Sequence, residues 1–327
     1  MRTRIIVSLG LLVVVATACS SSSNDANRSV RDAFATPSTI PPTTTTTVAP
    51  PACNPRQSER PDGPLPAPGQ MPAGSYMHEI LDRGHLTVGV DQNTLLWGYR
   101  DPITAQIDGL DIALAREIAT AIFGDPTAIQ LRAVVTGERT NVVKHNEVDM
   151  VASQVTMNCT RRQDVDLSTV YYDAYQGLLV RPHGPVQSLA DLDGHRVCAT
   201  KGSTSILRIK DVAPKAVIYP VAARIDCLVA LQEGRVDAIT SDNTILLGFE
   251  IQDPENTKML DVPPLEEEPY GLATSKDHPE FGRFVNAVLE KLRANDRLEQ
   301  LYQQYLKPPG VGFTPPSSPP PAEYLTS

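Results

Sequence analysis

The absences in this sequence narrow its function before anything else does. It has no lysine or arginine run and a formal net charge of −9, which argues against a nucleic-acid partner. Six histidines are scattered without ligand spacing, and no C-x-x-C occurs, so the usual zinc frameworks are missing. There is no G-x-S-x-G, no H-E-x-x-H and no G-x-x-x-x-G-K-[ST]. The common hydrolase, metalloprotease and nucleotide-binding signatures are therefore absent, and no cofactor is implied.

What is present begins with two unusual ends. Arg2 and Arg4 precede an apolar run, Ile5 to Val15, followed by "ATAC". A charged start, a short apolar stretch and small residues make residues 1–18 a secretory signal. The run is too short to span a bilayer. Cys19 stands where a bacterial lipobox places its lipidated cysteine, which points to palmitate and an anchor on the outer face of the cell membrane. "ATA" also suits ordinary cleavage and release. Residues 19–52 are rich in Ser, Thr and Pro and read as a disordered tether. The Pro-rich residues 309–327 read as a disordered tail.

Between the ends the chain repeats itself. "VDMVASQVT" at 148–156 returns as "VDAITSDNT" at 236–244, and "GHLTVGV" at 84–90 corresponds to "GHRVCAT" at 194–200. Helical patterns separate the strand-like runs, "GLDIALAREIATAIFG" and "RTNVVKHNEVD" in the first half, "TSILRIKDVA" and "RIDCLVALQEGRVD" in the second. Strands alternating with helices predict parallel α/β sheets, one per half. Ligands bind such sheets beyond the carboxyl ends of the strands. Those ends carry Asp91, Ser153 and Thr156 in one half and Lys201 to Ser205 and Asp242 in the other, so two polar clusters face one cleft. Lobe 1 is expected over 53–180 and 268–308, lobe 2 over 181–267. The chain then crosses twice, near Leu179–His183 and Glu266–Tyr270, making a hinge.

The stretches "GHLTVGVD", "YRDPITAQIDGLDIALAREIA", "VDMVASQVTMNCTRR", "DLDGHRVCATKGSTS", "VDAITSDNTIL" and "PYGLATSKDHPEFGRFVNAVLEKL" together resemble bacterial extracellular solute-binding proteins of the polar amino-acid family. These are the receptors of uptake ABC transporters. The resemblance is nearest to the lipid-anchored glutamate/glutamine-type receptors of actinobacteria and covers roughly residues 80–306. It implies a type II periplasmic-binding-protein fold, α/β and two-lobed, closing over a free amino acid. The partner it implies is an ABC permease in the membrane. The alternatives are a sensor subunit signalling through a membrane receptor and, more remotely, a dehydratase on the same fold. A monomer without catalytic activity is expected.

The resemblance also assigns residues. Arg161 falls where the family keeps its α-carboxylate-binding arginine, whose fork meets a carboxylate with two parallel bonds. Ser153 and Thr156 add hydroxyl donors there, or are ordinary strand-end residues. "KGSTS" opens a helix whose free amides suit an anion, with Thr204 nearest by family position, or it is a plain cap. Asp242 is expected to meet the α-ammonium; its other reading is an N-cap, worth about 1 kcal/mol. Arg139 falls where glutamate- and aspartate-binding members face the ligand side chain, supplemented by Lys201. If Arg139 instead turned outward to Glu138 or Glu147, a neutral amide ligand becomes preferable. Trp97, the one tryptophan, either covers the ligand's aliphatic part or fills the lobe. Thr94 stands where relatives often have an aromatic.

Four cysteines remain beyond Cys19, an even number that favours disulfides in an exported chain. Cys198 ends a second-lobe strand and Cys227 lies on a helix of the same lobe, so they are expected to pair. Cys53 and Cys159 are left to each other.

Overall fold

A computed structural model describes residues 53–307 and 313–326. The expected signal, Cys19 and the tether lie outside the described residues. The first half contains α1 (Tyr76–Arg83), β1 (Leu86–Val90), a small sheet of β2 (Asn93–Thr94), β3 (Gly98–Arg100) and β4 (Ile107–Asp108), α2 (Leu110–Phe123), β5 (Ile129–Ala133), α3 (Arg139–Lys144) and β6 (Met150–Thr156). A turn of helix, α4 (Arg161–Asp164), and β7 (Asp166–Leu167) lead to the long β8 (Tyr172–Val180). The second half contains β9 (Arg196–Thr200), α5 (Ser205–Val212), β10 (Val217–Val221), α6 (Ile225–Gln232), β11 (Ala238–Asp242), α7 (Asn243–Gln252) and β12 (Lys258–Met259). The chain returns through β13 (Glu267–Thr274) to α8 (Pro279–Ala294) and α9 (Arg297–Tyr305).

The two repeated sentences become equivalent strands. In the first half β1 pairs in parallel with both β6 and β5; in the second β9 pairs in parallel with both β11 and β10. The main sheet runs β10-β9-β11-β8-β13-β6-β1-β5. Each half is thus a parallel core, and the antiparallel strands β8 and β13 join them. The α/β two-lobed architecture expected from the sequence is the one observed.

A near-continuous apolar strand must serve two layers, since successive side chains point to opposite faces. β6 sends Met150 and Ala152 into the core against α2, α8 and α9, and Val151 and Val155 into a valine-rich layer on the other face. β11 divides likewise, with Ala238 on one side and Ile239 on the other. Helix α2 begins where it does because Gly109 has φ 138° and its α-carbon lies against the carbonyl of Trp97. A Cβ there would stand 2.3 Å from that oxygen.

Two expectations need correction. The first crossing comes earlier than Leu179–His183. Gln176 to Val180 already pair with β11 of lobe 2, while Tyr172 to Tyr175 pair with β13. An extended strand changes sheets there without a loop, so turn residues do not mark the crossing. The described part of the tail is also packed rather than loose. Ser58 and Tyr324 form a parallel bridge, Tyr324 donates to Glu290, and Phe313 packs on the lobe 1 core. Proline keeps this segment extended, but two aromatic side chains and a single strand bridge suffice to lay it down.

Cys53 is bonded to Cys159 and Cys198 to Cys227, as expected. The second bridge ties β9 to α6 with its α-carbons 5.5 Å apart, inside the range a disulfide spans without backbone movement. It closes a loop of sequence separation 29, which corresponds to about 3–4 kcal/mol of stabilisation. Replacing Cys198 and Cys227 together by alanine should lower the unfolding free energy from urea titration by that amount, with a slope that holds or steepens as the unfolded chain loses its crosslink. A loss below about 1 kcal/mol would mean that β9–α6 packing holds without the covalent link.

Candidate functional site

The carboxyl ends of β6 and β11, at Thr156 and Asp242, meet across a narrow enclosed space. Arg139, Gln154, Thr156, Thr204, Arg224 and Asp242 line it. Its volume is about 10 Å³, roughly room for one water, so a larger guest requires the lobes to part. A wider cavity of about 250 Å³ opens beside it, lined by Asp91, Asn93, Val135, Glu138, Ala223 and Arg224 among others. On the side of the crossing strands lies another of about 420 Å³, with Arg56, Asn158, Thr204 and Glu268 in its wall. Backbones nearly touch where the lobes close. Gly202 of lobe 2, at φ 77°, has its missing Cβ position 2.6 Å from the α-carbon of Gly137 in lobe 1.

Arg139 points inward, not to Glu138 or Glu147, and is buried. Its Nε donates to the carbonyl of Thr136 at 3.0 Å, and Nη1 to those of Ser153 and Gln154 at 2.6 and 2.7 Å. It therefore staples the end of β6. Burial, with Arg161 and Arg224 nearby, pushes its pKa well below the usual arginine value. Arg161 spans the lobes, donating from Nη1 to the carbonyl of Thr156 at 2.7 Å and from Nη2 to that of Gly202 at 3.1 Å. Desolvation lowers its pKa, against the pull of Glu268 and Asp242.

Asp242 sits at the N-cap position of α7, but its side chain makes no capping bond. Its carboxylate accepts instead from the Tyr270 hydroxyl and, at 3.5 Å, from that of Ser205. Burial raises its pKa, opposed by Tyr270 and the three arginines. Thr204 donates to Glu268 at 2.7 Å and lies 3.5 Å from the Thr156 hydroxyl. The hydroxyl of Ser153 is buried without a protein partner.

Four expected residues do not line the enclosed space: Ser153 and Arg161, placed above, and Lys201 and Trp97. Lys201 is exposed and does not line the enclosed space; its turn carries it outward while the backbone of Gly202 makes the contact. Trp97 is fully buried in lobe 1, edge-on to Tyr172 and Tyr270 at 5.1 and 5.2 Å. It fills the lobe and does not cover the cleft, because three tyrosine rings already surround the indole.

Other residues of the cleft were not singled out from the sequence. Arg224 leads into α6 of lobe 2 and reaches across to Asp91 at 3.2 Å, Thr94 at 3.3 Å and the side-chain oxygen of Gln154. A cation at a helix N-terminus opposes the helix dipole, and that anomaly was the available signal. Gln154 adopts φ 44°, a conformation uncommon for a side-chain-bearing residue and typical of functional sites. Asp111 holds it there, accepting from its backbone and side-chain nitrogens and from Tyr171. Burial raises Asp111 to about 6. Glu268, on β13, is fully buried, and burial followed by the nearby Asp242 raises it to about 8. It hides in the acidic run "EEE", whose pattern does not distinguish a buried member from exposed ones.

Comparison with known proteins adds four findings. Residues 86–308 match the family profile described as bacterial extracellular solute-binding proteins, family 3. The chain is 33% identical over 229 residues to the ABC transporter glutamine-binding protein GlnH of Bacillus subtilis, covering 70% of this chain and 83% of that one. It is 30% identical over 253 residues to the glutamate-binding protein GluB of Corynebacterium efficiens, covering 74% and 85%. Among solved structures, the cysteine-binding protein of Campylobacter jejuni is similar at a TM-score of 0.68 and 25% identity, over 72% of this chain and 96% of that one.

The raised pKa of Glu268 has a definite sign. Its ordinary value is 4.5 and its folded value about 8, so the stability it contributes is complete below pH 4.5 and is lost as pH climbs to 8. Glu268→Gln fixes the neutral form. Relative to wild type the variant should gain stability between pH 5 and pH 9, on the order of a few kcal/mol by urea titration. An identical difference at both pH values would show that Glu268 ionises normally.

Proposed function

The chain belongs to the bacterial extracellular solute-binding proteins of family 3, and from that premise we propose that it captures a free polar amino acid for an ABC importer. Glutamate and aspartate are favoured, glutamine and asparagine come next. The observation that carries this reading is the pairing of opposite charges across one closable cleft. Asp242 is a buried anion that does not cap its helix. Arg161 bridges the lobes, held by the Thr156 carbonyl of its own lobe and by the Gly202 carbonyl of the other, which it releases when they separate. An amino acid brings an α-ammonium and an α-carboxylate, both costly to bury unless paired. Asp242 takes the first. Arg161, with the hydroxyls of Thr156 and Thr204, takes the second. Two relatives, one a glutamine-binding and the other a glutamate-binding protein, support a polar amino acid. Binding, not catalysis, is the activity, and the partner is a membrane permease served by a receptor anchored through lipidated Cys19.

Calorimetry of the purified protein against the twenty amino acids tests the reading. One or a few polar amino acids should bind, and Arg161→Ala should abolish every one of them. Asp242→Asn should leave the ligand-free melting temperature nearly unchanged while affinity collapses, because an ammonium is then buried against a neutral amide. Near wild-type affinity in Asp242→Asn would remove the ammonium role.

A further inference from the structure

We propose that Arg224, rather than Arg139, reads the ligand's side chain and selects a carboxylate there. The inference rests on the reading that the cleft takes a free amino acid, and it names the residue that decides which. Position is the first argument. Arg224 is common to the walls of the enclosed space and of the 250 Å³ cavity. Thr156 and Thr204 join the enclosed space to the 420 Å³ cavity on one side and Arg224 joins it to the 250 Å³ cavity on the other, so a ligand whose α-carboxylate is held at Thr156 and Thr204 has the 250 Å³ cavity as the room for its side chain.

Donor geometry is the second argument. Arg224 is only 5% exposed, and its three side-chain hydrogen bonds into lobe 1 all start from Nη1, to Asp91, Thr94 and Gln154. Its Nε and Nη2 form no protein hydrogen bond among the described residues. Those two nitrogens make one edge of the guanidinium, the kind that grips a carboxylate with two parallel bonds. Arg139 offers no such edge, because its Nε and Nη1 both hold backbone carbonyls. Gln154, Thr94 and Asp91 thus act as a cradle that fixes Nη1 and leaves the other edge of a guanidinium that lines both cavities without a protein partner among the described residues.

Chemistry then favours an acid over an amide. A guanidinium only donates; a carboxylate offers it two acceptors, a carboxamide one. Arg139, whose own bonds run to neutral carbonyls, adds a second positive charge beside it. The anions nearby are Asp91, which already faces Nη1, Asp242 in the shared wall of the enclosed space, which is left to the α-ammonium, Asp111 behind Gln154, and Glu138 in the wall of the 250 Å³ cavity.

Calorimetry with glutamate, aspartate and glutamine on wild type, Arg224→Gln and Arg224→Lys tests this. Wild type should prefer an acidic amino acid. Arg224→Gln should lose about 30-fold or more for it while glutamine affinity moves less than about 3-fold. Arg224→Lys keeps the charge opposite Asp91 and so guards against misfolding; it should show an intermediate loss confined to acidic ligands. Equal losses for glutamate and glutamine in both variants would make Arg224 an interlobe latch only and overturn the proposal. So would a wild type that prefers glutamine, or unchanged glutamate binding in Arg224→Gln. If wild type bound no amino acid at all, the amino-acid reading itself would fall, a result distinct from any of these.

Discussion

Both lobes depend on one antiparallel contact, that of β8 with β13. Tyr172 to Tyr175 pair with Tyr270 to Glu267, and on either side of this patch the same strands belong to different sheets. β8 continues against β11 of lobe 2, and β13 continues against β6 of lobe 1. Hinge residues are the few that absorb a change in backbone angles between rigid bodies. Here the candidate hinge residues are hydrogen-bonded to each other, an arrangement that would confine any movement between the lobes to rotation about that strip. Glu268 and Tyr270 stand on β13, so the hinge also supplies two ionisable groups to the cleft.

The second constraint is electrostatic. Three guanidinium groups approach one another closely enough for Arg161 and Arg224 to depress the pKa of Arg139. Buried charges of like sign persist only when each is answered, and the three are answered differently. Arg139 is held by carbonyls within lobe 1, Arg161 by carbonyls of both lobes, and Arg224 by a carboxylate and two neutral oxygens of the opposite lobe. Only the last two arrangements are broken when the lobes separate. Charge at the site is therefore coupled to closure, and a ligand that replaces those partners is selected together with the closed state.

The fold was legible because strand and helix periodicities repeat in two halves, and the repeats fell on equivalent strands β6 and β11. The Cys198–Cys227 bridge followed from placement on a strand and a helix of one lobe, and Cys53–Cys159 was what remained. The site was read less completely, for a physical reason. Position along a strand tells which residues stand at the cleft but not where a long flexible side chain sends its polar end. Arg139 lies at the cleft as expected, yet its nitrogens turn to its own strand. Arg224 precedes the helix of the same lobe and reaches into the other one. Trp97 could equally have faced ligand or core, and only the tyrosines around it, drawn from β8, the segment before it, and β13, decide for the core. The packed tail was missed because proline content reports extension, not whether an aromatic finds a neighbour.

The positions of the chain's described ends have a mechanical consequence. Cys53 is bonded to Cys159, and Ser58 is bridged to Tyr324, all on lobe 1. Lobe 2 is therefore, in topological terms, an insertion carried between two strands. Any pull applied on the N-terminal side of Cys53 would load lobe 1 alone, as a stator, and would leave the inserted lobe unrestrained.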